Sequence, residues 1–429
     1  MSTFNPYLLM SLFYFSLAVV ATAGSALVSA DLLATAGSLR WLRVHFITLG
    51  MLTQAAMGVL PGLVADRAGQ PRPRTRWDVW LLLNAGLLAL LVGIPLVDAP
   101  MMIAGGTLVM VALALLAWQL RGLRAPASTS TSRPARSSGG SWFYRAALAY
   151  LLLGAFIGTG LWLGWSTWLH LPAPKEVHVH SNLWGFGSLL LAGLLLELVP
   201  ADVLEQPGWR RSVRAIFWLM VVGALGLTVG PWVESRVLQS VGLVAHTAGT
   251  LWLIIRWARV MHARACSLPG ALHAASAYVW QMVTVAMAPL VVFMPDGVIG
   301  RQVAEQGGPI LIYGWLLQFS YGLLPYLFRR FLLPHQPARL GGSWLSLVAG
   351  HAGTLLYMGG LVVAALRPGL HAAGYALWAI SAVPIVIDLW RVLQAALEGR
   401  PEAVPEPDSA GAPRLEGVPG HAAKSTPGS

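Results

Sequence analysis

The chain has 429 residues, 56% of them hydrophobic and only 10% charged, whereas soluble domains carry about 25% charged residues. So little charge on so much apolar surface excludes a water-soluble globule. The net charge of +11 does not point to nucleic acid either, because the basic residues stand in short runs between apolar segments, where they orient membrane spans.

In chain order, apolar runs long enough to cross a bilayer fall at about 7–30, 43–65, 79–98, 101–120, 146–169, 178–200, 214–232, 237–257, 271–293, 309–328, 343–365 and 372–394. The fold class is therefore all-α, a polytopic membrane protein with about twelve transmembrane helices in contact with the lipid bilayer. The first run follows six residues without Lys or Arg, which favours a retained span over a cleaved leader. The Ser-, Pro- and Arg-rich stretch 125–141 reads as a flexible loop, and 399–429 as a disordered tail after a transmembrane domain over 1–398.

Charge supports the same count. Most Lys and Arg fall in alternate connections, such as Arg72, Arg74 and Arg76 or Arg210, Arg211 and Arg214, and only Arg40, Arg43, Lys175, Arg236, Arg301 and Arg367 fall in the others. A miscounted span would invert every later connection, so both termini are expected on the cytoplasmic side.

A repeat with an interval of four spans underlies this topology. His45 is followed by Gly50, Gly58 and Pro61; His180 is followed by Gly185 and Gly193 at the same offsets; Gly314, Gly322 and Pro325 repeat the Gly-Gly-Pro spacing. Three four-helix units are the arrangement this suggests. Small residues at such spacings also simply let helices pack closely.

Ionisable groups inside a bilayer are costly and are functional candidates by default. His45 lies near the outer end of the second span, and His178 and His180 near the outer end of the sixth. His45 and His180 occupy one repeat position on two helices, the geometry needed for the two axial ligands of a haem. His178, about 200° around the helix from His180, addresses another partner, and Arg43 at its repeat position is placed to pair a haem propionate. His246 and His351 stand mid-span among small residues, either as haem or copper ligands or as interhelical hydrogen-bond partners. His170, His371, His262, His273 and His335 lie at helix ends, where solvated histidines are ordinary. Glu197 is expected near the inner interface, Asp388 beside Arg391, and Gln54, Asn84, Gln281 and Gln318 between helices. The single Cys266 excludes an internal disulfide, and no Cys-x-x-Cys-His is present for covalent haem attachment. No phosphate-binding glycine loop or Gly-x-Ser-x-Gly elbow supports an ATPase or hydrolase.

The segment His178-Val-His-Ser-Asn-Leu-Trp-Gly185, with Gly193 and Pro200 downstream, resembles the haem-ligating helix of haem–copper oxidase subunit I, particularly its cbb3-type and nitric-oxide-reductase branch. It is equally similar to a segment of the NnrS family, haem- and copper-containing membrane proteins associated with the nitric oxide response. Arg43-Val-His45 resembles the oxidase helix that supplies the second axial ligand. The resemblance covers about 40 residues plus topology. It implies three four-helix arcs, a b-type haem near the outer surface, copper as a second metal, and a cytochrome or other electron-transfer subunit as partner, in a bacterial or archaeal cytoplasmic membrane. The oxidase's adjacent His pair is missing here, and His273 and Tyr278 do not reproduce its His-Tyr spacing.

The sequence reading is thus a haem-binding membrane protein in respiratory electron transfer or nitric oxide response, with His45 and His180 on one haem and His178 serving a second haem or a copper assisted by His246 or His351. The rival is a secondary transporter with broken helices and a polar midplane site around Gln54, Gln281 and Gln318. A third reading is an assembly or anchor subunit without a cofactor.

Overall fold

The computed structural model describes residues 4–34, 38–123, 139–262, 268–294 and 296–399. It contains twelve helices long and apolar enough to cross a membrane: α1 (Pro6–Ser29), α2 (Leu39–Ala68), α3 (Trp77–Leu96), α4 (Ala99–Gly122), α5 (Gly140–Trp162), α6 (Pro174–Leu198), α7 (Pro207–Trp232), α8 (Arg236–His262), α9 (Pro269–Phe293), α10 (Ile310–Leu332), α11 (Trp344–Val362) and α12 (Ala364–Glu398). No strand occurs among the described residues. The protein is an all-α integral membrane protein.

Several boundaries differ from those expected. The span predicted at 146–169 ends at Trp162, because Gly164 turns left-handed at φ 71° and the next helix, Trp165–Trp168, is a single separate turn. Gly139, Gly140 and Ser141, expected in a loop, are helical and lead into α5, and the rest of that loop lies outside the described residues, as does the tail beyond Gly399. Gly399 itself caps α12 at φ 63°.

Nine of the twelve helices form a ring around the other three. In α2, α6 and α10 buried residues make up 78, 83 and 89% of the apolar window, against 22–56% in the other nine. Outward-facing side chains such as Leu81, Trp118, Val244 and Val348 are left for lipid. Adjacent pairs α3–α4, α7–α8 and α11–α12 pack as hairpins, and α1–α12, α4–α5 and α8–α9 contacts close the ring.

This is the four-span repeat in three dimensions. Each central helix carries one π-helical segment, Phe46–Leu52, Ser181–Gly187 and Ile310–Leu317, a rare geometry that adds a residue to the turn and shifts the phase of everything beyond it. In each segment the fifth residue is glycine, and Gly50, Gly185 and Gly314 receive the rings of Tyr14, Tyr150 and Trp280 from the preceding helix, where a Cβ would collide. The three hairpins cross at matching glycine pairs as well: Gly86 with Gly105, Gly223 with Gly242, Gly353 with Gly374. Backbones meet directly at these points, which is how helices gain contact where lipid offers no hydrophobic drive.

Along the axis, Trp184 and Trp315 stack at 5.9 Å between α6 and α10. Next to them a void of about 10 Å³ is lined by Leu52, Val59, Leu190, Leu194, Phe319 and Leu323. It is small and apolar, and hence dry.

Candidate functional site

The central helices differ sharply at their two ends. One end holds His45, His178 and His180; the other is dominated by arginines.

At the imidazole end His45 and His178 come together, their ring centres 6.5 Å apart and their planes 25° from parallel. His45 stands on the last turn before the π segment of α2, its outer face stacked on Trp41 at 4.2 Å. His178 lies against Gly158 of α5, where a larger residue would displace the ring. His180, two residues on, turns to α7 instead. The structure therefore pairs His45 with His178, not with His180 as the repeat position suggested.

Hydrogen bonding fixes the state of all three rings. Nδ1 of His45 lies 2.8 Å from Trp41 O, Nδ1 of His178 is 2.8 Å from Gly154 O, and Nδ1 of His180 is 2.7 Å from Leu227 O. A carbonyl only accepts, so each Nδ1 carries the proton and each Nε2 keeps its lone pair; at His178 the Asn182 amide nitrogen, 3.2 Å from Nδ1, donates instead to His178 O at 2.8 Å. No Nε2 of the three has a partner among the described residues. A backbone carbonyl on one ring nitrogen, orienting the other, is the support that metal-ligating histidines use. All three rings are half-buried, so the lone pairs are not sealed away.

His246 and His351 are built differently. His246 is fully buried, its Nδ1 donating to Met220 O at 2.9 Å and its Nε2 accepting from Ser188 Oγ at 2.8 Å. His351 accepts from Trp280 Nε1 at 2.8 Å and donates through Nε2 to Ser276 Oγ at 2.9 Å. Neither has a nitrogen left for a metal. Of the two expectations for these residues, interhelical hydrogen bonding is the one seen. Among the described residues no group of three or more His, Cys, Asp or Glu is placed to hold a metal ion.

Arg43 faces another helix. Lying about 200° around α2 from His45, its guanidinium sits 4.2 Å above the ring of Tyr375 on α12, away from His178. His371, expected to be solvated, is buried and stacked on Tyr357 at 4.0 Å. His273, also expected to be solvated, is fully buried, with Nε2 3.2 Å from Ser343 O. His170, His262 and His335 are exposed as expected.

No family model matches the chain, and no curated protein matches it either. The site has to be read from its own geometry.

At the arginine end, sequence reading missed a network tying the three central helices together. Glu197 of α6 accepts from Arg67 Nε of α2 at 2.6 Å, from Tyr144 at 3.0 Å and from Arg330 of α10 at 3.4 Å. Arg330 also reaches Asp66 at 3.0 Å, and Asp66 holds Arg72 through both oxygens at 2.9 Å. A cavity of about 200 Å³ opens beside Glu197, Arg67 and Arg330. Asp388, expected to pair with Arg391, is gripped by Arg329 at 2.6 and 3.2 Å. A fork from a neighbouring helix satisfies both carboxylate oxygens, which a one-turn neighbour on the same helix does less well.

Gln54 donates to Asn84 at 2.7 Å, as expected for polar residues between helices. No hydrogen bond joins Gln54, Gln281 and Gln318 to one another among the described residues, and the three central spans run as continuous helices through their π segments. The broken helices of the transporter expectation do not occur there.

Proposed function

We propose that the protein binds a b-type haem at the imidazole end, where His45 and His178 would hold it. The observation that carries this is the spacing of the two rings. A metal–imidazole bond of ~2 Å puts each ring centre about 3 Å from the metal, so two ligands on opposite sides of one ion have centres ~6 Å apart. The ring centres of His45 and His178 are 6.5 Å apart, and each ring has its Nδ1 proton committed to a carbonyl and its Nε2 lone pair available.

When bound, such a haem supplies one-electron redox chemistry. The chain's own residues hold and orient it. Trp41 O and Gly154 O set the tautomers, Trp41 packs one face of His45, and Gly158 leaves room for His178. His180 has the same tautomer and a lone pair of its own, which suits a second haem or a small diatomic ligand's site. The reading is of a haem protein of the haem–copper-oxidase or NnrS type, in a bacterial or archaeal cytoplasmic membrane with both termini cytoplasmic, serving electron transfer with a cytochrome-like partner or the nitric oxide response.

The test is a reduced-minus-oxidised spectrum of the detergent-purified protein, produced with iron and haem precursors supplied. A low-spin haem spectrum is expected. A preparation without a Soret band overturns the reading.

A further inference from the structure

Among the buried polar groups without partners, two arginine side chains lie together outside the imidazole pair. On the side of α2 facing α11 and α12, Arg43 Nε and Arg367 Nη2 are sealed from solvent and have no hydrogen-bond partner among the described residues, beside the buried ring of His371, which the Tyr357 backbone approaches. Arg43 is 6% exposed and His371 8%. The groups are linked through aromatic rings: Arg43 lies 4.2 Å over Tyr375, Tyr375 is 5.3 Å from Tyr357, and Tyr357 stacks on His371 at 11°. Arg367 donates to Gly360 O at 3.0 Å, and Gly360 is the residue on which His371 packs. Arg43 and Arg367 both lie within electrostatic reach of His371.

No carboxylate answers this charge. Neither Arg43 nor Arg367 enters an ion pair among the described residues, whereas Arg67, Arg72, Arg329 and Arg330 at the opposite end all do. A guanidinium stays charged in proteins, and a buried charge without a partner is among the costliest features a fold can carry. The face of Tyr375 offsets part of that cost, but a ring face leaves the N–H donors unmet. Planar forked donors are complementary to phosphate and carboxylate oxygens.

We propose that Arg43, with Arg367 and His371, forms a binding site for a phosphate group, on the opposite side of α2 from the imidazole pair. The site stands at the end of the membrane-spanning helices, so its phosphate comes from a phospholipid headgroup or from free inorganic phosphate. The inference does not rest on the haem reading, since Arg43 and His45 face different helices.

The test is thermal unfolding of delipidated protein in neutral detergent, with four additions: phosphatidylglycerol, inorganic phosphate, a phosphate-free glycolipid, and sodium chloride at matched ionic strength. The wild type is expected to rise by about 3 °C or more with a phosphate-bearing addition and not with the glycolipid or the chloride. A rise with phosphatidylglycerol alone assigns the lipid, and a rise with inorganic phosphate assigns the free anion. Arg43→Gln and Arg367→Gln should each lose most of the shift, while Arg301→Gln, at an exposed position, should keep it. A wild type indifferent to both phosphate sources, or an Arg43→Gln protein that responds as fully as the wild type, overturns the proposal. Should Arg43→Gln not fold, Arg43→Lys, which keeps the charge but loses the fork, takes its place. Phosphorus retained by the wild type through gel filtration, at one atom per chain or more when loaded with the source that shifts it, gives a second readout, and its absence counts against the site.

Discussion

His45 and His178 each have one ring nitrogen bound to a carbonyl and one at liberty, whereas His246 and His351 have both nitrogens engaged. All four are imidazoles on helices of one bundle, and composition treats them alike. What separates them is the partner on the second nitrogen, Ser188 or Ser276 for one pair and nothing for the other. A histidine within a span is thus a ligand candidate only after its hydrogen bonds have been counted.

The contrast can be broken by mutation, beginning with the largest effect. His45→Ala or His178→Ala should remove the low-spin haem spectrum entirely, and free imidazole should restore part of it; His246→Ala should leave the band in place. Loss of the band on replacing His246 but not His178 would reverse the assignment. At the arginine end, where the acceptor is fully satisfied, Glu197→Leu strands the buried Arg67 guanidinium and should cost about 3–5 kcal/mol, read as a lowered Tm in detergent. His246→Ala leaves Ser188 Oγ and Met220 O unmet and should cost about 1–3 kcal/mol, with the haem spectrum unchanged. His351→Phe keeps the volume but strands Trp280 Nε1, for a loss of about 1 kcal/mol. His335→Ala, at an exposed position, should change Tm by no more than about 0.5 kcal/mol implies.

Much of this architecture was legible in the sequence. Twelve spans follow from apolar length alone, and the three central helices were marked by Gly50, Gly185 and Gly314, because a span enclosed by others must admit its neighbours' rings. The level shared by His45, His178 and His180 was legible too, since it depends only on distance from a helix end. The pairing was not. Which of His178 and His180 meets His45 depends on how far α6 is rotated about its own axis, and a shared repeat position says nothing about that rotation. The Gly–Gly crossings went unseen because 46 glycines hide six, and Asp388 was assigned a neighbour on its own helix because spacing reveals only local partners. His273 and His371 look like interfacial residues by position, yet aromatic rings and backbone enclose them.

The glycine crossings also bear on how the chain assembles. The peripheral hairpin α3–α4 is strongly apolar, with mean hydropathies of 2.2 and 2.1, while the enclosed helices α2, α6 and α10 reach only 1.5, 1.4 and 1.3. Left among acyl chains, the enclosed segments would be less comfortable than that hairpin. A hairpin whose two legs lock glycine to glycine can enter the bilayer as a finished unit and wait there as a wall against which the enclosed helices settle.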